Sequence, residues 1–404
     1  MARGSSGIKM PTEFEEALNQ SFFKRLFVSE RKQIAMIADE KSPARISHRI
    51  FATRSLRNVG NGMNEKSLEV LKQYDFEVNR VLRGRGGMIL NTDRGVKLFL
   101  ECVKSDKYYE RENDITRRVA DSGFLWVDTY VQNSSGEILT PDEDGRRFYV
   151  KDWYEGKECN VRDLKDLCRA VQTLAQLHLV LLEVAGEFSG TTEEQNEKDV
   201  KAKALSVIEA GGETQMYTRH MKELKLTGNY LKNKKKKSEF EQLAYKNIGS
   251  FFSEAEKAVQ LLAGPQFQER LSYAKKTGEL CHGSYNYHNI IFSNGNTAVT
   301  NFDKYKNECQ ISDLYQFMRK ILEKYDWDIQ TAYKMMEEYD KIKPVSDTER
   351  ALLAALFAFP EKFWKVMNYY FNSNKAWIPP KTKEKLEKVV QQNEKRQKFL
   401  ETLL

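Results

Sequence analysis

Residues 281–292, which read CHGSYNYHNIIF, decide the fold expected for this chain of 404 residues. His282 and Asn289 flank a short polar segment that contains Ser284, and three apolar residues follow it. An apolar run of that length beside polar turn residues is typical of a short buried strand. The stretch therefore predicts a loop that holds polar side chains at the start of a strand.

The spacing of these polar residues is that of a phosphotransferase catalytic loop, His-x-Asp-x-x-x-x-Asn followed by an apolar strand. In such a loop the aspartate accepts the proton of the attacking hydroxyl, and the asparagine holds magnesium. This chain keeps Asn289 as a potential metal ligand but has Ser284 at the aspartate position. Because a serine hydroxyl is neutral near pH 7, Ser284 is a degenerate general base.

A second polar group follows in residues 294–304, NGNTAVTNFDK. The Asn-Gly pair predicts a hairpin turn, and the apolar residues after it predict a strand. The end of this strand resembles the Ile-Asp-Phe/Trp-Asp/Glu pattern of aminoglycoside phosphotransferases, with Asn301 in place of the metal carboxylate. An amide oxygen holds magnesium more weakly than a carboxylate does. Asp303, two residues on and on the same face of a continuing strand, is a candidate substitute.

Residues 76–102 predict three strands, with glycines in the first turn between them. These glycines, Gly84, Gly86 and Gly87, allow two interpretations: an ordinary hairpin, or a loop whose backbone amides cover nucleotide phosphates. Lys97 lies in the third strand, where we expect it to be a solvated charge.

Composition limits the classes of function. The net charge of +7, spread over many lysines and glutamates, does not imply nucleic-acid binding. Five cysteines without a Cys-x-x-Cys pair are expected to be free thiols of a reducing compartment. We find neither a signal-peptide core nor an apolar run of about 20 residues, so synthesis in a cytoplasm without membrane insertion is expected.

The carboxyl-terminal half predicts helices. His178 lies on an apolar helix face, where a packing or capping role is expected. Ser312 and Asp313 are expected to cap a helix over residues 314–325. Residues 233–237, NKKKK, are interpreted as a solvated basic run.

Several segments together resemble the CotS-like spore coat proteins, a branch of the aminoglycoside/choline kinase-like superfamily. The resemblance spans residue 64 to the carboxyl terminus. The segments that carry it are residues 83–87, 282–290, 301–304, 313–320, 360–365 and 375–379.

The resemblance implies an α+β, bilobal protein-kinase-like fold. A polar extension would occupy residues 1–63, a small antiparallel sheet lobe residues 64–152, and a helical lobe residues 153–404. The helical lobe would include the catalytic-loop remnant at 281–304 and a charged helical insertion around 186–245.

The resemblance also assigns site positions. Leu100 stands at the position of the nucleotide lysine, and Lys97, three residues away, should project from the opposite face of the strand. Glu110 and Glu112 occupy the helix that would carry the partner of that lysine, and both are expected to be surface charges. Asp313 matches the aspartate that braces the catalytic loop through backbone hydrogen bonds.

Three hypotheses follow. The first is a catalytically inactive member of the spore coat, made in the mother-cell cytoplasm and assembled with other coat proteins; it has no cofactor, although weak Mg-ATP binding stays open. The second is a small-molecule phosphotransferase that uses Asp303 and Lys97. The third is a basic adaptor that binds acidic polymers through Lys234–Lys237.

Overall fold

The amino-terminal part of the chain is built on an antiparallel sheet, whose strands follow the alternating segments of the sequence. The computed structural model describes residues 65–124, 126–190, 213–372 and 379–403. The strands of this sheet are β1 (Val78–Gly84), β2 (Gly87–Thr92), β3 (Gly95–Glu101), β4 (Tyr130–Val131), β5 (Thr140–Pro141) and β6 (Arg147–Asp152). Their order is β1-β2-β3-β6-β4, with β5 paired to β6, and each pair is antiparallel.

The two faces of the sheet are covered differently. A 3-10 helix, Glu65–Gln73, packs Val70 and Leu71 on one face against Phe99 of β3. Helix α1 (Asp106–Asp121) lies on the other face, where Tyr109 contacts a group of tyrosines. The alternation of β3 therefore sends neighbouring residues to opposite environments.

The rest of the chain is mainly helical. Its helices are α2 (Leu164–Gly190), α3 (Glu213–Asn233), α4 (Glu239–Leu262), α5 (Pro265–Lys276), α6 (Ile311–Leu322), α7 (Ile329–Asp340), α8 (Asp347–Ala358), α9 (Glu361–Phe371) and α10 (Lys381–Leu403). Ser238 and Ser346 form capping boxes at the starts of α4 and α8, so local sequence fixes where these helices begin.

Two small sheets sit among these helices and carry the loop of residues 281–292. One contains β7 (Lys157–Glu158), β9 (Ile290–Ser293) and β10 (Asn296–Val299), and the other pairs β8 (Leu280–Cys281) with β11 (Lys306–Asn307). The β9–β10 connection is the predicted Asn-Gly turn, in which Asn294 and Gly295 both have positive φ.

Helix α2 packs against α1 and α7, and its apolar residues belong to the main core. Residues Leu164–Gly186 are long and apolar enough to cross a membrane by length and composition alone. More than half of that apolar window is buried inside the fold, however, which is how the core helix of a soluble protein behaves.

Three local predictions need correction or fall outside the described residues. Asp313 does not cap α6: it lies in the first turn, the N-cap is Gln310, and the Asp313 carboxylate is used elsewhere. The extension at 1–63 and residues 191–212 of the predicted insertion lie outside the described residues.

Candidate functional site

The loop after β8 is fixed by one buried carboxylate from α6. Asp313 Oδ2 accepts a hydrogen bond from the backbone N–H of His282 at 2.7 Å, and Asp313 Oδ1 accepts one from Gly283 at 2.9 Å. Burial raises the pKa of Asp313, but the hydrogen bond and charge of His178 outweigh burial and leave the pKa below its ordinary value. Asp313 thus has the geometry of a brace for the loop.

His282 is held as a neutral ring. The backbone N–H of Ser284 donates to its Nδ1 at 3.1 Å, so the proton is on Nε2, which donates to the carbonyl oxygen of Thr300 at 3.2 Å. Burial lowers the pKa of His282 to about 4. The ring therefore ties the loop to the end of β10 without carrying a charge.

Among the residues that the structure describes, Ser284 has no partner that could activate its hydroxyl. Asn289 Nδ2 donates to the Ser284 carbonyl oxygen at 2.9 Å and to its Oγ at 3.4 Å. Within the described chain this is the single hydrogen bond of the hydroxyl. The Ser284 side chain meets an amide donor, whereas activation would require a basic acceptor.

The structure brings Ser284, Asn289 and Asn301 together. The backbone N–H of Thr300 donates to the carbonyl oxygen of Asn289 at 3.0 Å, which places Asn301 one residue from the catalytic-loop remnant. Asn301 is exposed and has a φ of +73°, a conformation that asparagine tolerates better than most residues. The backbones of Asn289 and Asn301 therefore lie close to each other.

Asp303 faces the sheet lobe. Its carbonyl oxygen accepts hydrogen bonds from Lys104 Nζ and from Tyr108 Oη, the latter at 2.5 Å. Its Oδ1 is buried and has no hydrogen-bond partner among the described residues. Burial raises the pKa of the Asp303 carboxyl group.

A buried ion-pair cluster, which the sequence pattern did not predict, contacts the backbone of Asn301. Lys151 Nζ of β6 contacts Glu112 Oε1 of α1 and lies 3.2 Å from Asp128 Oδ2. Asp128 Oδ2 in turn accepts the backbone N–H of Asn301 at 2.9 Å. A chain of contacts therefore joins α1, the sheet and the degenerate metal position.

The charges of this cluster depend on one another. Burial raises the pKa of Asp128 to about 6, with Lys151 acting in the opposite direction. Burial lowers the pKa of Lys151, but Asp128 and Glu112 more than offset it, so the net shift is upward. The expectation that Glu112 is a surface charge is wrong, whereas Glu110 is exposed as expected.

Strand register explains why the lysine that meets Glu112 lies on β6 and not on β3. Leu98 pairs with Lys151 and Leu100 with Tyr149, so these four side chains share the face that α1 covers. Leu100 packs there among tyrosines. The lysine that meets the helix glutamate therefore comes from the neighbouring strand.

Lys97 projects from the opposite face, as its spacing from Leu100 predicted. It is only 9% exposed, and its Nζ contacts Asp152 Oδ1 at 2.5 Å. The expectation that it is a solvated charge is wrong, because the pairing with Asp152 allows the amine to be buried.

The glycine turn between β1 and β2 is a tight hairpin that reaches the helical lobe. Arg85 and Gly86 both have positive φ, which the two-residue turn requires. Arg85 Nη1 donates to the carbonyl oxygen of His288 at 3.0 Å, and its other amine pairs with Glu158. A Cβ on Gly87 would lie 2.3 Å from the carbonyl oxygen of Phe99, so that glycine serves strand packing.

The small sheet lobe, the helical lobe and the loop between them define a class, the kinase-like proteins with the aminoglycoside phosphotransferase fold. An aminoglycoside phosphotransferase from Alicyclobacillus acidocaldarius gives a TM-score of 0.71 at 18% identity, covering 85% of this chain and 96% of that one. Spectinomycin phosphotransferase APH(9)-Ia gives 0.53 at 11% identity, with coverages of 82% and 93%. The predicted α+β, bilobal fold is confirmed.

Residues 191–403 match the family described as "Spore coat putative kinase YutH". This match covers more than half of the chain, and the chain belongs to that family. Spore coat protein S of Bacillus subtilis (strain 168) is 19% identical over 343 residues, which are 83% of this chain and 93% of that protein. The predicted resemblance to the spore coat branch of the kinase-like superfamily is confirmed.

Proposed function

We propose that this chain is a structural or assembly protein of the spore coat whose kinase-like cleft does not transfer phosphate. The observation that carries the proposal is the environment of Ser284, whose hydroxyl is hydrogen-bonded by Asn289 alone among the described residues. The Asn289 amide is a donor, so among the described residues nothing that hydrogen-bonds to Ser284 Oγ can take the proton of an attacking hydroxyl. Loss of a general base typically costs about 10² to 10⁴ in rate.

The donor groups near the loop do not fit a tightly held magnesium ion. Asn289 and Asn301 offer neutral amide oxygens, and magnesium prefers charged oxygens. Asp303 lies two residues beyond Asn301, and its carbonyl oxygen accepts hydrogen bonds from Lys104 and Tyr108 of the sheet lobe. We therefore expect no nucleotide cofactor.

The lysine position supports the same conclusion. Leu100 has no charge to offer a phosphate, and Lys151 is fully buried between two carboxylates that compensate its charge. Together with the family membership, this favours a role in the coat through surface contacts with other coat proteins, after synthesis in the mother-cell cytoplasm. Membrane and nucleic acid are not expected partners.

The test is a thermal-shift titration with Mg-ATP and a radiolabel assay of ATP turnover. The wild type is compared with the triple variant Leu100→Lys, Ser284→Asp, Asn301→Asp, and with the same variant carrying Lys151→Met, which removes competition for Glu112. We expect no turnover by the wild type and a new Mg-ATP-dependent stabilisation in the reconstructed variants. Turnover by the wild type that Asn289→Ala abolishes would overturn the proposal.

A phosphotransferase that uses Asp303 is the second candidate, because the buried and unpartnered Oδ1 of Asp303 is an atom that a cation would satisfy. Lys97 cannot share this role from the far side of β3. The same titration is repeated with Asp303→Asn. If the wild type binds Mg-ATP and this substitution removes the binding, the second candidate is favoured.

A further inference from the structure

One face of α6 is directed at the degenerate catalytic loop. Asp313 bonds the backbone of Gly283, Phe317 packs edge-on against Tyr285 with ring centroids 5.6 Å apart, and Lys324 just beyond the helix donates to Tyr287 Oη at 2.5 Å. These contacts lie in order along the helix and along the loop.

Lys320 lies on the same face of α6. It follows Asp313 by seven residues and precedes Lys324 by four, spacings that return to one side of a helix. The backbone of Lys304 contacts the loop at Gly283. A Cβ added to Gly283 would lie 1.8 Å from the carbonyl oxygen of Lys304. The backbone of Lys304 and the face of α6 that carries Lys320 therefore both lie against the loop that holds Ser284.

The charge of Lys320 is not compensated. Lys320 is half-buried and forms neither a hydrogen bond nor an ion pair with any described residue, and the side chain of Lys304 is exposed and likewise unpaired. Burial and the neighbouring cations Arg319, Lys365 and Lys304 lower the pKa of Lys320 and Glu323 raises it, with a net result of about 8. A half-buried ammonium group among other cations costs stability.

The acidic residues near Lys320 are already paired with other cations. Arg319 pairs with Glu323, and Lys365 pairs with Glu361 at 3.0 Å. Lys362 also contacts Glu323, at 3.3 Å, so both glutamates already have cationic partners, and Lys304 and Lys320 form no ion pair with a described residue. A phosphate group carries between one and two negative charges near pH 7 and offers several acceptor oxygens to ammonium donors.

We propose that Lys304 and Lys320 form a binding site for a phosphate group beside the loop that holds Ser284. The ligand class is a phosphate-bearing small molecule. Aminoglycosides and choline are cations, and the same two lysines would repel them. The site does not depend on whether the cleft transfers phosphate, because it is argued from the helical lobe alone.

The test uses Lys320→Met and two independent readouts without ATP. In phosphate-free buffer at fixed ionic strength, Lys320→Met should raise Tm above the wild-type value, since it removes an uncompensated cation. Titration with inorganic phosphate should raise Tm of the wild type, and the affinity derived from that shift should fall about tenfold to a hundredfold in Lys320→Met. A purely structural lysine would lower Tm when replaced.

A control variant and two control ligands test whether the effect is specific for Lys320 and for phosphate. Lys72→Met, an exposed lysine of the 3-10 helix paired with Glu69, should keep the phosphate shift. Glycerol phosphate tests an organic phosphate against the free ion, and acetate tests a singly charged carboxylate. A lower Tm in Lys320→Met, a phosphate shift that is equal in Lys320→Met and wild type, an absent shift in the wild type, or an equal response to acetate would each refute the site.

Discussion

Lys151 shows how much a single buried residue can depend on its partners. Its side chain is 4% exposed, between Glu112 at 2% and Asp128 at 1%. Removing three charges from water is costly, and the mutual attraction offsets that cost only while all the partners are present. Lys97, on the other face of the sheet, pairs instead with Asp152, whose side chain is 36% exposed.

We therefore expect Lys151→Met to lower the free energy of unfolding by about 3–5 kcal/mol, because it leaves two carboxylates buried without a cation. Lys97→Met is the matched control and should cost about 1 kcal/mol or less, since Asp152 keeps solvent and the Thr129 hydroxyl, which donates to it at 2.9 Å. Urea denaturation of the three proteins measures both values. Equal losses of unfolding free energy in the two variants would show that the buried cluster stabilises the fold no more than the pair of Lys97 and Asp152 does.

At the scale of elements, the loop before β9 and the turn after β10 are fitted to each other through Gly283. This residue has a φ of +72°, and the carbonyl oxygen of Lys304 occupies the space that a side chain would need. Gly295, in the β9–β10 hairpin, has a similar φ of +83° but nothing within 4 Å of its Cβ position. The two glycines separate the cost of conformation from the cost of contact.

Gly295→Ala should cost about 1–2 kcal/mol of unfolding free energy, from the left-handed backbone alone. Gly283→Ala should cost the same plus about 1–3 kcal/mol for the collision with Lys304. Thermal and urea unfolding measure the difference, and hydrogen exchange should quicken at Ser284 and Thr300 in Gly283→Ala only. If the two variants lost equal stability, the close approach at Gly283 would not be real.

Elements also show which parts of the fold local sequence specifies. Helices α4 and α8 begin directly after the capping serines Ser238 and Ser346, and α10 begins directly after Pro380, so local residues mark those ends. The same reasoning fails at Asp313. An acidic residue at a helix start was expected to cap the helix, but the Asp313 carboxylate accepts a hydrogen bond from a loop 30 residues earlier. Sequence spacing does not reveal which of two acceptors a distant N–H will find.

At the scale of the whole molecule, the lobes are tied together near the site. Val127 bridges to Val299, the N–H of Val299 donates to the carbonyl oxygen of Trp126 at 2.9 Å, and Asp128 holds Asn301. Ionisable groups buried along this seam must change protonation when the molecule unfolds. Global stability should therefore depend on pH through them.

Two of these groups oppose each other. The pKa of His282 is lowered from 6.5 to about 4, so its contribution to stability is complete above pH 6.5 and is lost as pH falls towards 4. The pKa of Asp128 is raised from 3.8 to about 6, so its contribution is complete below pH 3.8 and is lost as pH rises towards 6. In the wild type the two effects partly offset each other between pH 4 and 6.5.

Asp128→Asn removes the opposing effect. Its unfolding free energy should fall between pH 7 and pH 4.5 by about 2 kcal/mol more than that of the wild type does. Urea denaturation at the two pH values gives this difference, and nitrogen NMR of the imidazole should show His282 neutral at pH 5 in both proteins. An identical pH dependence of the two proteins would contradict the raised pKa of Asp128.

The sequence by itself determined the class of fold, because its motifs resemble those of the kinase-like superfamily at fixed local spacings. It also placed the neutral residues Ser284, Asn301 and Leu100 at positions where that resemblance implies charged groups. Only the tertiary structure decided that Lys151 of β6 meets Glu112, that Lys97 is turned away from α1, and that Lys320 is left without an anion. Those outcomes depend on strand register and on which residues from distant parts of the chain meet in a low-dielectric interior, where a charge is tolerated or costly according to its neighbours.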